Sequence, residues 1–345
     1  MILRPKPSPR YHAPLAGAPS TAPMATVPAW LRRAVADAQS LAGKGVGLNA
    51  LEDVALNAGA AIGALDAVVR RQERWAGAWR QRLALAAAAA TAKQAGRVED
   101  ESALRDAVLL TRPGVFLSVG PAGLLLLAWR RLATRSAADL LKEKSLAAVL
   151  EEFGYAPDDE AVGELADELR QLGASAGMVG MLTGAFMAAE RFGFARAVGA
   201  WLADTLLAQR LGWAHAVPLL GAEASVGTGV RPLRSAPGSM ATGIETDPER
   251  AKSLLAAQAR AALRAIDVSA ELGRRAEKLL AVAPKLRAKA ADAVVDKLLS
   301  DDAIVASDKI AGMSDRGLRR LFDRLVELGA VRELSGRPTF RIYGL

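Results

Sequence analysis

Between residues 28 and 213, apolar residues recur every three or four positions almost without interruption, with strong helix formers between them. No part of that stretch shows a convincing strand pattern. Such a segment hides its apolar stripe against other helices, and the fold class expected is all-α, a multi-helix domain. Helices are predicted over about residues 28–42, 49–95 with a bend or break near Gln72, 99–111, 121–134, 136–153, 159–172, 176–192 and 195–211. With 345 residues, 51% of them hydrophobic, the chain is long enough for one large domain or two.

The flanks read differently. Seven of the sixteen prolines fall in the first 28 residues, so residues 1–27 are expected to form a disordered leader, with Met24 a candidate start. That leader lacks the apolar stretch of a secretory signal, which points to the cytoplasm. The uncharged run over residues 172–189 is too rich in Gly, Ala, Ser and Thr to be read as a membrane span. Glycine and proline punctuate residues 217–247, expected to be a linker or long loop between the helical domain (28–216) and a helical arm (248–283). Thr246 is the predicted cap of that arm, with Pro248 in its first turn and Glu249 complementing the dipole. Pro284 then sets off a last helix at about residues 286–300.

In the last 45 residues the period changes twice. A short helix over about 305–311, a turn at Gly312 and Met313, and a longer helix over 315–328 with Ser314 as its cap spell helix-turn-helix. After Gly329 come two extended runs, 330–334 and 339–343, joined by SGRP as a hairpin. Residues 284–345 are therefore read as a winged helix-turn-helix with a small β-hairpin wing. Leu318, Leu321, Phe322, Leu325 and Leu328 share one face of its second helix, opposite Arg316, Arg320, Asp323 and Glu327, and Arg319 flanks the polar side. In such motifs the start of that helix enters the major groove, where arginine bonds guanine bidentately, and the wing follows phosphates. The candidate DNA contacts are Ser314, Arg316, Arg319 and Arg320 on the helix, and Arg332, Arg337 and Arg341 on the wing. Charge agrees, since residues 251–345 hold 18 Lys and Arg against 12 Asp and Glu, a net of +6 out of the whole chain's +8.

The strings WAGAWRQRLAL (75–85), GRVEDESALRDAVLL (96–110), GMVGMLTGAFMAAERFGFARA (177–197) and MSDRGLRRLFDRLVELGAVRELSGRPTFRIYGL at the end resemble the domain of unknown function 1403 family. These are uncharacterised bacterial proteins known mainly from alphaproteobacterial genomes and plasmids. The resemblance covers most of residues 28–345 and implies no activity, substrate or catalytic residue. The terminal module also looks like the winged helix that closes many Fic-domain proteins, but the chain has no HPFxxGNGR-type loop.

Elsewhere the chemistry is sparse. Zero cysteines exclude disulfides, iron–sulfur clusters and Cys-ligated zinc, and two histidines, His12 and His215, leave almost no room for His-based metal sites. No cofactor and no metal are expected. Glu99, Asp100 and Glu101 read as dipole-complementing residues at a helix start, with Glu101 and Arg105 an i,i+4 pair; the alternative is a polar pocket with Arg80, Arg82 or Arg97. His215 reads as structural, since neither an orienting carboxylate nor a nucleophile is evident. The glycine-rich 224–243 stretch lacks the ending of a phosphate loop. Trp75 and Trp79 read as core anchors, with base stacking on the neighbouring arginines as the alternative. Gly177, Gly180 and Gly184 are expected to admit a close neighbouring backbone.

The sequence thus leads to DNA binding in transcription control or plasmid and chromosome maintenance, with the helical domain binding a protein partner, a second copy or a small effector. The alternative is a non-enzymatic scaffold whose winged helix docks on protein, as in segregation complexes; an enzyme ranks third.

Overall fold

The computed structural model describes residues 27–42, 51–111, 116–223, 247–286, 288, 290–336 and 339–345. Among them run twelve α-helices: α1 (Ala29–Ala42), α2 (Leu51–Arg70), α3 (Ala76–Gln94), α4 (Glu101–Leu109), α5 (Gly120–Thr134), α6 (Glu143–Glu152), α7 (Asp159–Ser175), α8 (Met178–Arg191), α9 (Arg196–Arg210), α10 (Pro248–Val282), α11 (Ala291–Ser300) and α12 (Asp315–Glu327). Three short strands, β1 (Ile304–Val305), β2 (Arg332–Glu333) and β3 (Ile342–Gly344), form an antiparallel sheet in the order β1-β3-β2. The protein is mostly helical with this one small sheet, and none of its described helices is long and apolar enough to cross a membrane. The proline-rich leader, except Val27, lies outside the described residues, as do Thr246 and the glycine-rich 224–243 stretch.

Helix boundaries follow from local chemistry. Gln72, at φ 47°, breaks the chain between α2 and α3. The Asp100 and Asp158 carboxylates accept the Ala103 and Ala161 amides at 2.8 and 2.7 Å, capping α4 and α7. At α10 the cap is Asp247, which accepts the Glu249 amide at 3.0 Å. The expected helix over 136–153 is interrupted because its start pairs elsewhere: Ser136 bridges His215, and the Ala137 amide donates to the Ala214 carbonyl at 2.9 Å. A 3-10 turn at Ala137–Asp139 results, and α6 begins only at Glu143.

Helix α3 lies at the centre. Ala84, Ala87 and Ala88 are fully buried, and their small side chains let α5 and the 220–222 turn approach closely. Three indoles add polar anchors: Trp129 donates to Thr91 Oγ1, Trp201 to the Ala128 carbonyl and Trp79 to the Ala265 carbonyl. Trp79 is therefore a core residue and not a stacking platform, while half-buried Trp75 packs on Gly273 of α10.

The expected division at residues 217–247 is not how the described residues pack. Val217, Leu219 and Leu220 are core residues, and Glu223 pairs with Arg260 and Arg264 of α10 at 3.1 and 2.7 Å. Helix α10 lies along α2, touches α1 and α8, and buries 16 of its residues, 12 of them in the same core. The anticipated arm is thus part of the helical body, for the stripe that predicted its helix is wide enough to require covering.

No neighbouring backbone approaches any of the three glycines as expected; only Gly184 is tightly packed, against a side chain. A Cβ on Gly184 would sit 2.7 Å from Leu172 Cδ2 of α7; on Gly180 it meets the Ala176 Cβ at an ordinary 3.7 Å, and on Gly177 nothing within 4 Å. Gly184→Leu is therefore expected to lose about 1–3 kcal/mol by overpacking. Gly180→Leu should melt close to the parent, and thermal unfolding of the two side by side checks the assignment.

The C-terminal segment departs from expectation at its start. The helix expected over 305–311 does not form: Ile304 and Val305 pair with Tyr343 and Ile342, and turns carry the chain to α12. Seven residues are too few to nucleate a helix against a competing strand, and the Lys297–Asp308 ion pair at 2.6 Å ties the segment to α11. Helix α11 itself begins at Ala291 rather than 286.

Candidate nucleic-acid interface

Helix α12 is amphipathic, and its two faces have separate jobs. Leu318, Leu321, Phe322 and Leu325 are buried, and the Phe322 ring stacks on Tyr343 of β3 with centroids 4.3 Å apart. Leu328, expected on the same face, is the C-cap residue and is partly exposed. Ser314 caps the N-terminus, its Oγ accepting the Gly317 amide at 3.1 Å. Anchored by core and cap, the opposite face has a fixed direction.

That face carries Arg316, Arg319 and Arg320, all exposed, and among the described residues none of the three has a hydrogen-bond or ion-pair partner. Arg324, one turn further on, is paired with Glu327 at 2.6 Å. Of the expected wing residues, Arg332 is exposed on β2 beside Gly344 of β3. Arg341 is exposed but engaged within the module, with Asp323 at 3.9 Å and Glu333 at 3.8 Å, and hydrogen bonding to Tyr343 with these neighbouring charges raises its pKa. Arg337 lies outside the described residues. The sequence-derived set therefore divides into three unpaired arginines on one helical face, a capping serine, one free strand arginine and one internally engaged arginine.

A buried ion-pair cluster joins this module to the body. The Asp302 side chain has no exposed surface; one oxygen accepts from Arg82 Nε of α3 and the other from Arg105 Nε of α4 at 2.8 Å. Burial pushes this carboxyl up, but the two guanidiniums outweigh it, and its pKa falls below the ordinary carboxylate value. Next to it, Gln81 donates to the Ser300 carbonyl and to Asp301 Oδ1, and Arg275 of α10 donates to the Leu345 carbonyl at 3.0 Å. Sequence reasoning missed this cluster: it paired Arg105 with Glu101, whereas Glu101 is exposed and Arg105 turns inward. No local signal links Arg82, Arg105 and Asp302, which are about 200 residues apart in the case of the latter two.

On the body, a surface cavity of about 950 Å³ is lined by Ser136, Leu141, Lys142, Lys144, Arg170 and Trp213, among others. His215 lies outside its lining; burial and the nearby Arg80 charge hold its pKa down, keeping the imidazole neutral at physiological pH.

No curated protein and no solved structure matches the chain. One family model does, that of the protein of unknown function DUF1403, and it spans residues 18–345, nearly the full length. With body and C-terminal module both inside that match, the chain belongs to the DUF1403 family.

Proposed function

We propose that the protein binds duplex DNA through its C-terminal module, a winged helix in which turns replace the helix preceding α12, and that it acts in transcription control or in plasmid and chromosome maintenance. The observation that carries this reading is the trio of exposed, unpaired arginines on the first two turns of α12, on a helix whose other face is locked into the core. A protein that keeps three adjacent guanidiniums free of intramolecular carboxylates retains their charge for an external anion, and the N-terminal half of such a helix fits the major groove. Arg332 extends the same positive character onto β2. The surface cavity of the body, where Lys142 and Arg170 are paired with Asp139 and Asp167 and Glu143 stands beside Lys144, is the place for a small effector.

Changing Arg319 and Arg320 to Ala is expected to weaken specific binding by about 1–3 kcal/mol for each residue that reads a base, with helix content and melting temperature unchanged. Arg332→Ala should lower affinity on all sequences alike and reduce the salt slope by about one unit. Fluorescence anisotropy on specific and random duplexes separates the two behaviours.

A second reading is favoured by Val326, Leu328 and Phe340, exposed apolar side chains on the same module. They suit a scaffold whose module docks on protein.

A further inference from the structure

Phe340 departs twice from the behaviour of an ordinary apolar side chain: it is 65% exposed, and its backbone sits in the left-handed region at φ 57°, where an aromatic residue is strained. We propose that its ring inserts into the base stack of the duplex that α12 holds, entering from the adjoining minor groove, so that the protein bends the DNA it binds. The proposal rests on the DNA reading of α12.

The backbone behind the ring is fixed. The Arg341 carbonyl accepts the Ala306 amide at 2.9 Å, and Ile342 donates its amide to Ser335 Oγ at 3.3 Å while its carbonyl accepts the Leu334 amide at 2.8 Å. Were the extended backbone of β3 to run back to residue 340, strand alternation would place Phe340 on the face of Ile342, which is buried with Ala303 and Val305 and covered by Leu109, Leu110 and Leu334. The left-handed turn takes the ring off that face. An apolar ring is thus turned away from available apolar cover and into solvent, at a cost in strain, as befits a group kept for an external surface.

Its position identifies that surface. Arg341, the next residue, lies 3.9 Å from Asp323, which stands one turn along α12 from Arg319 and Arg320. The ring is therefore carried beside the helical face whose three arginines are unpaired among the described residues. An apolar protein patch has nothing to offer those guanidiniums, whereas a duplex offers them phosphates and, between its base pairs, offers flat apolar faces to the ring. The other exposed apolar side chains at this helix, Val326 and Leu328, lie at its C-terminal end.

The test uses the full chain at about 50 mM salt and a duplex of about 30 bp with central TA steps, which unstack readily, carrying a donor and an acceptor on its ends and 2-aminopurine at the centre. The parent is expected to bring the ends together by a bend of roughly 20–90° and to raise the 2-aminopurine fluorescence as a step unstacks. Phe340→Ala should lose both signals and about tenfold in affinity, with the salt slope unchanged, because a ring releases no counter-ions. Phe340→Leu keeps an apolar wedge and should retain most of the bend. Phe340→Gly should lose the bend while melting no lower than the parent, since glycine takes a positive φ without strain; it serves if the alanine variant fails to fold. A parent that binds the duplex through Arg319 and Arg320 and leaves it straight would overturn the wedge and keep the DNA reading, whereas no binding would overturn both. A Phe340→Ala chain that binds and bends DNA like the parent would also overturn the wedge, and loss of self-association by that variant in sedimentation would then give the ring to a second copy.

Discussion

Asp302→Ala is expected to destabilise the chain by about 3–5 kcal/mol, because it leaves the guanidiniums of Arg82 and Arg105 in a protein interior without their counter-ion. The loss should be local before it is global. Asp302 lies two residues before β1, so exchange of the Ala306 amide, which donates to the Arg341 carbonyl next to β3, should accelerate far more than exchange in α9. Replacing all three partners together, Arg82→Met, Arg105→Met and Asp302→Ala, should restore much of the stability, since it is the unpaired charge that is costly. Because the Asp302 pKa is depressed, its contribution is present above the ordinary carboxylate pKa and is lost as pH falls through the lowered value. Chemical denaturation of the parent, single and triple variants gives the comparison; a single variant as stable as the parent would show that the cluster does not hold the module.

Asp204 is expected to make stability depend on pH in the opposite sense. It sits inside α9, fully buried, and accepts the amides of Leu219 and Leu220 at 2.7 and 3.1 Å. Burial pushes its pKa up to about 8, with the two amide hydrogen bonds pulling the other way. The folded protein therefore holds a proton that the unfolded chain releases near pH 4, and stability falls as pH rises, by about 1 kcal/mol per unit between roughly pH 4 and 8. Asp204→Asn keeps an oxygen for the two amides and removes the titration. Its melting temperature should fall less steeply with pH than the parent's, the two curves crossing so that the variant is the more stable at pH 8. Parallel curves would mean that the carboxylate is ionised in the folded protein.

Those two carboxylates mark where reading the chain succeeded and failed. Element type was legible wherever one face of a helix carries the information: the break at Gln72, the helices from α1 to α9 and the two faces of α12 follow from a period of 3.6 and from caps such as Asp100 and Ser314. β1 was not legible, because two residues are too few to show a period and Ile304 and Val305 gain their strand geometry only from β3. Nor was the burial of 217–223, whose glycine and proline signal a turn without telling that Asp204 satisfies its amides inside the core. Of the candidate interface, Arg316, Arg319 and Arg320 were legible as a polar face. The engagement of Arg341 by Asp323 and Glu333 was not, since it depends on how the hairpin folds back on α12.

DNA recognition by α12 is tested most directly by measuring the affinity of the intact chain for duplex DNA from about 50 to 200 mM salt. The arginine trio with Arg332 makes about four phosphate or base contacts available, so affinity should be readily measurable at the low end and fall steeply, log K declining with log salt at a slope of about −3 to −4. No affinity for any duplex at about 50 mM salt, where even sequence-independent phosphate contacts are strong, would contradict the DNA reading and assign the module to protein docking.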